Sequence, residues 1–505
     1  MKALYLQNTN PKNDDALGAK ALTGAALMIA TRVSVRLLGL VSVTILARIL
    51  TPDDFGLFGS AAIILAFFVL FREIGFGEAL IKNKNVDKAD VDTFWTIRFC
   101  LCLLIAAGVV ATAPMVTVFL KDPRIEGVLY YMALIPVIES FYSPATAFLL
   151  RELKYGSDFL LKSADKLIRV IAVILIALSL RSYWALVYGA LIASTLSVIA
   201  SHIVRPYRPK ITLSRLNVHA SFVSWAYLRS ISHYFASSSD ELLVRGIYNT
   251  AFFGIYHIAR DLGRVLIAEA ISPIREAMLP ALARLQDDRA RYAEAVSNIL
   301  GATIIIATAV SVGVLLIADE LVLVLLGSQW AQASHFLAYV AIGCACNSIG
   351  DVNQSSYVAI GRQAISSRFW LARALLYAAG CFIAATHYGA QAVAVTFSAL
   401  SFLAMLVEST SMLKTLGARS TFLSLFIRPT LAAVAMTLAV TNVPDTLGIP
   451  LAVLLVTKAG VGALTYCLTL LLLWKLSGLE KGPETALIEN LPPKVRKFIP
   501  FVAVN

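Results

Sequence analysis

Arg48-Ile49-Leu50-Thr51-Pro52-Asp53-Asp54-Phe55-Gly56-Leu57-Phe58 is a short polar island between two long apolar runs, 22–47 and 55–80. Each run exceeds the roughly 20 residues that an α-helix needs to cross about 30 Å of hydrocarbon. The island therefore reads as the connection between a first and a second membrane-spanning helix. A close echo follows at Arg245-Gly246-Ile247-Tyr248-Asn249-Thr250-Ala251-Phe252-Phe253-Gly254-Ile255-Tyr256, one residue longer. Phe-Gly-Leu-Phe and Phe-Gly-Ile-Tyr recur six helices apart at matching helix ends. That spacing predicts two six-helix halves of parallel topology, the usual frame for alternating access around a midplane site.

Working outward, apolar runs predict helices over 22–47, 55–80, 93–119, 126–149, 160–180, 183–204, 219–245, 252–278, 295–317, 334–358, 366–386, 389–413, 422–441 and 450–474. The expected fold is all-α and polytopic, with about fourteen transmembrane helices. Two six-helix bundles, 22–204 and 219–413, related by a pseudo-two-fold, would be joined by a basic cytoplasmic linker, 205–218. Helices 13 and 14 fill 422–474, followed by a tail over 475–505. Residues 1–21 form a polar lead-in without a cleavable hydrophobic region, which predicts a cytoplasmic segment rather than a signal peptide. Composition agrees: 58% of the 505 residues are apolar and 15% charged, against roughly 45–50% and 25% in soluble domains. Runs this long exclude a β-barrel.

The net charge of +12 would point to nucleic acid in a soluble chain. Here its distribution matters more. Connections after odd-numbered helices carry Arg48, Lys121, Arg124, Arg181 and Arg245; those after even-numbered helices, with both termini, carry 24 Lys and Arg. Excess basic charge marks the cytoplasmic side. Both termini are therefore expected in the cytoplasm, and no nucleic-acid partner is expected. A missed helix would invert every later connection, so the alternation supports the count. No connection is long enough for a folded soluble domain.

An Arg at a helix centre costs about 2.5–3.5 kcal/mol on insertion scales, so mid-depth charges face water or a partner. Arg32 and Arg36 lie one turn apart, about 15 and 21 Å into helix 1; Arg260 and Arg264 lie roughly 12 and 18 Å into helix 8. Like charges at i,i+4 repel unless an anion sits between them. A diphosphate suits guanidinium groups, which bind phosphate oxygens bidentately and stay protonated. The alternative is pairing with local acids such as Asp261 or with acids on neighbouring helices. Arg229 and Arg373 could extend a basic wall, and Arg72 with Glu73 could form a local gate pair. Glu139, between Pro136 and Pro144, could mark a kinked and hydrated stretch, and Asp240 with Glu241 could accept a proton or a sodium ion, which makes all three candidates for ion coupling. Lys458 is expected to snorkel or to pack against the bundle.

Other motifs narrow the chemistry. The chain holds no G-x-x-x-x-G-K-[ST] loop, so no nucleotide hydrolysis by the chain itself is expected. Asp90-Val91-Asp92 resembles a metal-nucleotide D-x-D but is placed to cap helix 3. The six cysteines lack zinc or redox spacing, and Cys100/Cys102 and Cys344/Cys346 read as packing residues inside helices. Neither a cofactor nor a metal is expected.

The stretch from Ala47 to Phe58 resembles the A-R-x-L-x-P-x-D/E-F/Y-G-x-F/Y signature of bacterial polysaccharide flippases. Glu73-Ile74-Gly75-Phe76-Gly77-Glu78-Ala79-Leu80-Ile81 resembles that family's D-x-G-x-x-x-A-L-I segment, Phe253 to Tyr256 its L-G-x-Y segment, and Pro280 to Asp288 and Gly327 to Trp330 its general pattern. The likeness covers helices 1 to 10 and extends to the last four only in topology. It implies the Wzx-type branch of the multidrug, oligosaccharidyl-lipid and polysaccharide exporter superfamily. It further implies an undecaprenyl-diphosphate-linked oligosaccharide, flipped from the cytoplasmic to the periplasmic leaflet for exopolysaccharide, capsule or O-antigen assembly. Polymerase and chain-length or export proteins of the same pathway would be partners. Cavity arginines on helices 1 and 8 of relatives contact the diphosphate, which by helix and depth implies Arg32, Arg36, Arg260 and Arg264 here. A peptidoglycan precursor flippase shares the architecture, a drug or cation antiporter would need an acidic cavity, and a membrane-embedded sugar polymerase would need a large outer loop.

Overall fold

The computed structural model describes residues 38–72, 87–147, 155–214, 223–285, 288–417, 422–444, 449–478 and 482–489. These residues form α-helices and short 3-10 turns, with no strand among them. Helix is present in every interval expected from the sequence. Nine helices of the described residues are long and apolar enough to cross a membrane. The chain is an all-α, multi-pass membrane protein, and it divides into two compact units, Met1–Ser224 and Trp225–Asn505.

The first unit contains α1 (Leu38–Ile49), α2 (Pro52–Val69, with a 3-10 turn Leu70–Arg72), α3 (Lys88–Leu120), α4 (Arg124–Met132), α5 (Leu134–Ser140, then a 3-10 turn Pro144–Ala147), α6 (Tyr155–Leu180) and α7 (Trp184–Val204). The island between α1 and α2 starts a helix by a capping box. Thr51 Oγ1 accepts the Asp54 N–H at 3.3 Å, and Asp54 Oδ2 accepts the Thr51 N–H at 2.9 Å. These bonds satisfy donors that a helix start leaves orphaned, and Pro52 supplies a preset φ at the first position. Asp54 Oδ1 also accepts the Tyr183 N–H at 2.8 Å, tying the start of α2 to the turn before α7.

The helix expected over 126–149 is broken. Pro136 has no N–H to return to the Met132 carbonyl, and the ladder restarts at Leu134. In contrast, α3 begins five residues before its expected start of 93, because Asp87 and Asp90 form a second capping box. Asp90 thus caps, as its position in the sequence implied. Its neighbour Asp92 is buried and accepts the Tyr207 hydroxyl at 2.9 Å and the Lys210 N–H at 3.1 Å. Burial and the Asp92 carboxylate push the Tyr207 phenol above its ordinary value, so it remains a donor. The segment after α7 is thereby fastened to α3.

The second unit contains α8 (Val223–Ile247), α9 (Thr250–Arg284), α10 (Arg289–Leu316), α11 (Ala318–Leu325), α12 (Ala333–Ala359), α13 (Gln363–His387), α14 (Ala390–Leu416), α15 (Phe422–Thr441), α16 (Leu451–Leu476) and α17 (Pro483–Glu489). Asn249 caps α9 by accepting the Phe252 N–H at 2.8 Å. Thr51 and Asn249 each precede the Phe of their Phe-Gly pair by four positions, so the extra residue of the second connection falls before the cap. Helix α12 packs against α9, α10 and α14 and is buried along most of its length. Gly343 permits one of these contacts, since a Cβ there would stand 2.4 Å from the Phe397 ring. Helices α15 and α16 pair with each other, and Lys458 of α16 bonds Glu320 of α11 at 2.5 Å. Lys458 thus packs into the bundle with a carboxylate partner.

Exposed apolar side chains such as Leu104, Val118, Phe119 and Leu175 cover the outer surfaces, as lipid contact requires. Asp54→Ala removes acceptors for two backbone N–H groups and should cost about 1–2 kcal/mol. Thermal unfolding in detergent should show a clear loss for Asp54→Ala and a smaller one for Asp53→Ala, whose side chain meets Arg124 at a half-exposed site. Equal losses would contradict the assignment.

Candidate functional site

In the second unit, ionisable groups gather along α9 and meet acids from α8 and α12. Arg260 is sealed: its side chain is 7% exposed and Asp240 is fully buried, with Nε to Oδ2 at 2.9 Å. Tyr256 donates to the same oxygen at 2.8 Å, the Ser237 carbonyl accepts from Arg260 Nη2 at 3.1 Å, and the guanidinium lies 4.3 Å from the Phe397 ring centroid. Next to this pair, His257 Nδ1 meets Glu241 Oε1 at 2.6 Å. One turn further along, Arg264 bonds Asp261 at 2.5 Å but keeps 69% of its side chain exposed. Arg275 lies 3.5 Å from Asp351 of α12.

A second polar network joins α12, α13 and α14. Arg373 is buried against Glu408 at 3.5 Å, donates to Asn347, and stacks over Trp370 at 4.8 Å. Tyr377 extends it to Ser401 at 2.9 Å. Gly350 makes the space, because a Cβ there would lie 2.8 Å from Arg373 Nη1 and 3.1 Å from Glu408 Oε2. In the first unit, Arg72 bonds Glu139 at 2.6 Å, and Arg98 donates to the Glu139 carbonyl oxygen at 2.8 Å.

Comparison with known proteins bears on what such a scaffold does. The family described as polysaccharide biosynthesis protein matches residues 45–335, more than half of the chain. The chain belongs to that polysaccharide biosynthesis protein family. Among its relatives, the succinoglycan biosynthesis transport protein ExoT of Rhizobium meliloti is 24% identical, over 86% of this chain and 89% of that protein. The lipopolysaccharide biosynthesis protein WzxC of Escherichia coli is 22% identical, over 76% and 78%. Of solved structures, the inward closed lipid II flippase MurJ superposes with a TM-score of 0.70 at 14% identity, over 89% of this chain and 99% of that one. An inward-facing multidrug resistance MATE transporter of the MOP superfamily gives 0.58 at 14% identity, over 77% and 96%. These two establish a shared fold.

Within this polysaccharide biosynthesis protein the residues expected from sequence separate into distinct groups. Arg32, Arg36 and Glu73 lie outside the described residues, as does the side chain of Arg229. Both described members of the arginine quartet pair with acids, Arg260 with Asp240 and Arg264 with Asp261. Asp240 and Asp261 offset the i,i+4 repulsion between Arg260 and Arg264, so no bound anion is needed to explain it. Arg260 is a correction to the expected open cavity wall; Arg264 remains accessible. Arg373 is likewise buried in its network instead of lining an open wall. Asp240 and Glu241, grouped by adjacency, serve different partners, and Glu139 is an ion-pair acceptor for Arg72. Sequence reasoning passed over Arg98, Asp165, His257 and Glu408. Asp165 lies within α6, which begins at Tyr155, five residues before the expected start of 160.

Removing one partner of a buried ion pair typically costs about 3–5 kcal/mol, whereas replacing both with apolar groups is often neutral. Arg260→Leu should therefore lower membrane abundance and detergent melting temperature, and Asp240→Leu added to it should restore much of both. A double variant as unstable as the single would show that the pair is not what Arg260 contributes.

Proposed function

We propose that this chain flips a polyprenyl-diphosphate-linked oligosaccharide from the cytoplasmic to the periplasmic leaflet of a bacterial inner membrane, with both termini in the cytoplasm. The observation that carries the reading is Arg264. It stands fourteen residues into the 35-residue α9 with most of its guanidinium exposed. An arginine exposed to hydrocarbon near a helix centre is costly, so this position is expected to face water. A water-filled position flanked by family-matching sequence suits a diphosphate, whose oxygens take guanidinium donors in pairs. Arg32 and Arg36 are its proposed companions by depth. Arg260 supports the site from behind by fixing α9 against α8 and α12 through Asp240 and Cys344.

The names of the relatives, a succinoglycan transport protein and a lipopolysaccharide biosynthesis protein, support a saccharide cargo and a transport role. Charge neutralisation at Arg264 lets the head group leave the interface while the polyprenyl tail stays in lipid. An ion gradient, the membrane potential or consumption of product on the far side supplies the direction. Polymerase and chain-length or export proteins of the same pathway consume that product.

Deleting the gene should abolish polymer export and cause the lipid-linked repeat unit to accumulate. Restoring it with Arg264→Ala should leave protein level normal and export at least about tenfold lower, in keeping with the loss of one charge-assisted contact; Arg264→Lys should recover part. Normal export from Arg264→Ala would remove the diphosphate assignment. A deletion strain without accumulated intermediate would remove the transport reading itself.

A further inference from the structure

A cavity of about 330 Å³ is lined, among the described residues, by residues of α3, α6 and α7 and by Glu139 and Tyr142 at and just after the end of α5, all of the first unit. Its size sits at the lower end of the roughly 300–1,000 Å³ of ligand pockets. Arg98, Asp165 and Ser194 stand ten residues from the start of α3, the start of α6 and the end of α7, respectively. At 1.5 Å per residue that is about 15 Å from each of these helix ends. Most of the lining side chains are polar or charged, where a lipid-sealed bundle would be apolar. Four of its buried polar atoms, Arg98 Nε, Asp165 Oδ1, Ser194 Oγ and Ser197 Oγ, make no hydrogen bond within the described residues. Ser194 is 1% exposed and Ser197 9%.

Buried polar groups left without partners are costly, so a set of four around one cavity marks a place where a ligand supplies the bonds. The set is mixed in sense. Arg98 Nε only donates, Asp165 Oδ1 only accepts, and the two hydroxyls do both. An anion would leave Asp165 unsatisfied and opposed; a metal cation would leave Arg98 unsatisfied and would be opposed by Arg98, Lys162 and Arg169, which all line the cavity. A neutral polyol, with hydroxyls that donate and accept, matches all four. We propose that this cavity is a saccharide subsite that reads the sugar next to the diphosphate. The inference rests on the transport reading above and goes beyond it, since it locates sugar discrimination in the first unit, apart from the charge site on α9.

The test uses the full-length chain in two strains, one whose lipid-linked repeat unit is its native one, the other with a repeat unit bearing a different first sugar on the same diphosphate carrier. Polymer export per unit of membrane-embedded protein is measured in both. Wild type should prefer the native unit, and Ser197→Ala and Asp165→Asn should each narrow that preference about tenfold, as loss of a hydrogen bond that a buried site reserves for substrate does. Ser197→Ala adds no bulk and keeps folding intact if Asp165→Asn proves poorly tolerated. Arg264→Ala should lower export of both units alike. A wild type without preference, or a preference unchanged in both cavity variants, overturns the subsite and leaves the cavity to water. If the preference narrows while Arg264→Ala exports normally, the subsite stands and the diphosphate assignment falls.

Discussion

The pairing of Arg260 with Asp240 shows the constraint under which the rest of the second unit is built. A full charge in hydrocarbon is affordable only when it is paired, hydrogen-bonded or wet. Arg260 meets that condition through a carboxylate, a carbonyl, a thiol and an aromatic face, drawn from α8, α12 and α14. One side chain of α9 thereby fixes the helix against three others. Arg373 does the same for α12, α13 and α14, at a point where Gly350 yields the space that a side chain would occupy. Lys458 with Glu320, and Arg72 with Glu139, extend the pattern to α16 and to the first unit. Helices whose lipid-facing surfaces are uniformly apolar gain little from hydrophobic burial in a bilayer, so these polar contacts carry much of the positional information.

The helical segments were legible because a membrane demands a run of about 20 apolar residues, and such runs survive any uncertainty about packing. Capping was legible in part. Asp90 at the start of α3 fitted, while the capping box of Thr51 and Asp54 lay unread inside the polar island that joins α1 to α2. The break near Ala133 was foreshadowed by Pro136 as a kink, and the structure turns it into a full interruption.

Partner choice was legible only in part: Asp261 was named as a local acid, whereas Asp240 was grouped with Glu241 and not with Arg260. Arg260 and Arg264 share a face of α9 by the i,i+4 rule, yet one is sealed and the other exposed. Sequence spacing fixes where a Cα lies along a helix, but a guanidinium extends several ångströms from it and can turn toward either neighbour. The acids that decide the outcome are 20 residues away across a turn for Arg260, and three residues away on the same helix for Arg264. The cavity of the first unit stayed hidden for a related reason. Its wall combines one residue of α3, Glu139 and Tyr142 at and just after α5, four residues of α6 and three of α7, and none of them stands out as a local motif.

The two arginines of α9 also differ in how easily each can change partner. An exposed pair such as Arg264 with Asp261 is worth about 0–1 kcal/mol, because water screens it and both side chains lose freedom in making it. A phosphate oxygen arriving from solvent can displace Asp261 at little cost. Arg260 cannot make the same exchange without leaving Asp240 charged and unpaired in the interior, a far larger penalty. On the proposed transport reading, a single helix therefore holds a permanent structural cation and an exchangeable one a turn apart. Reversible capture of an anionic head group needs that arrangement: the exchangeable cation can release its cargo only if the helix bearing it stays in place when the cargo leaves.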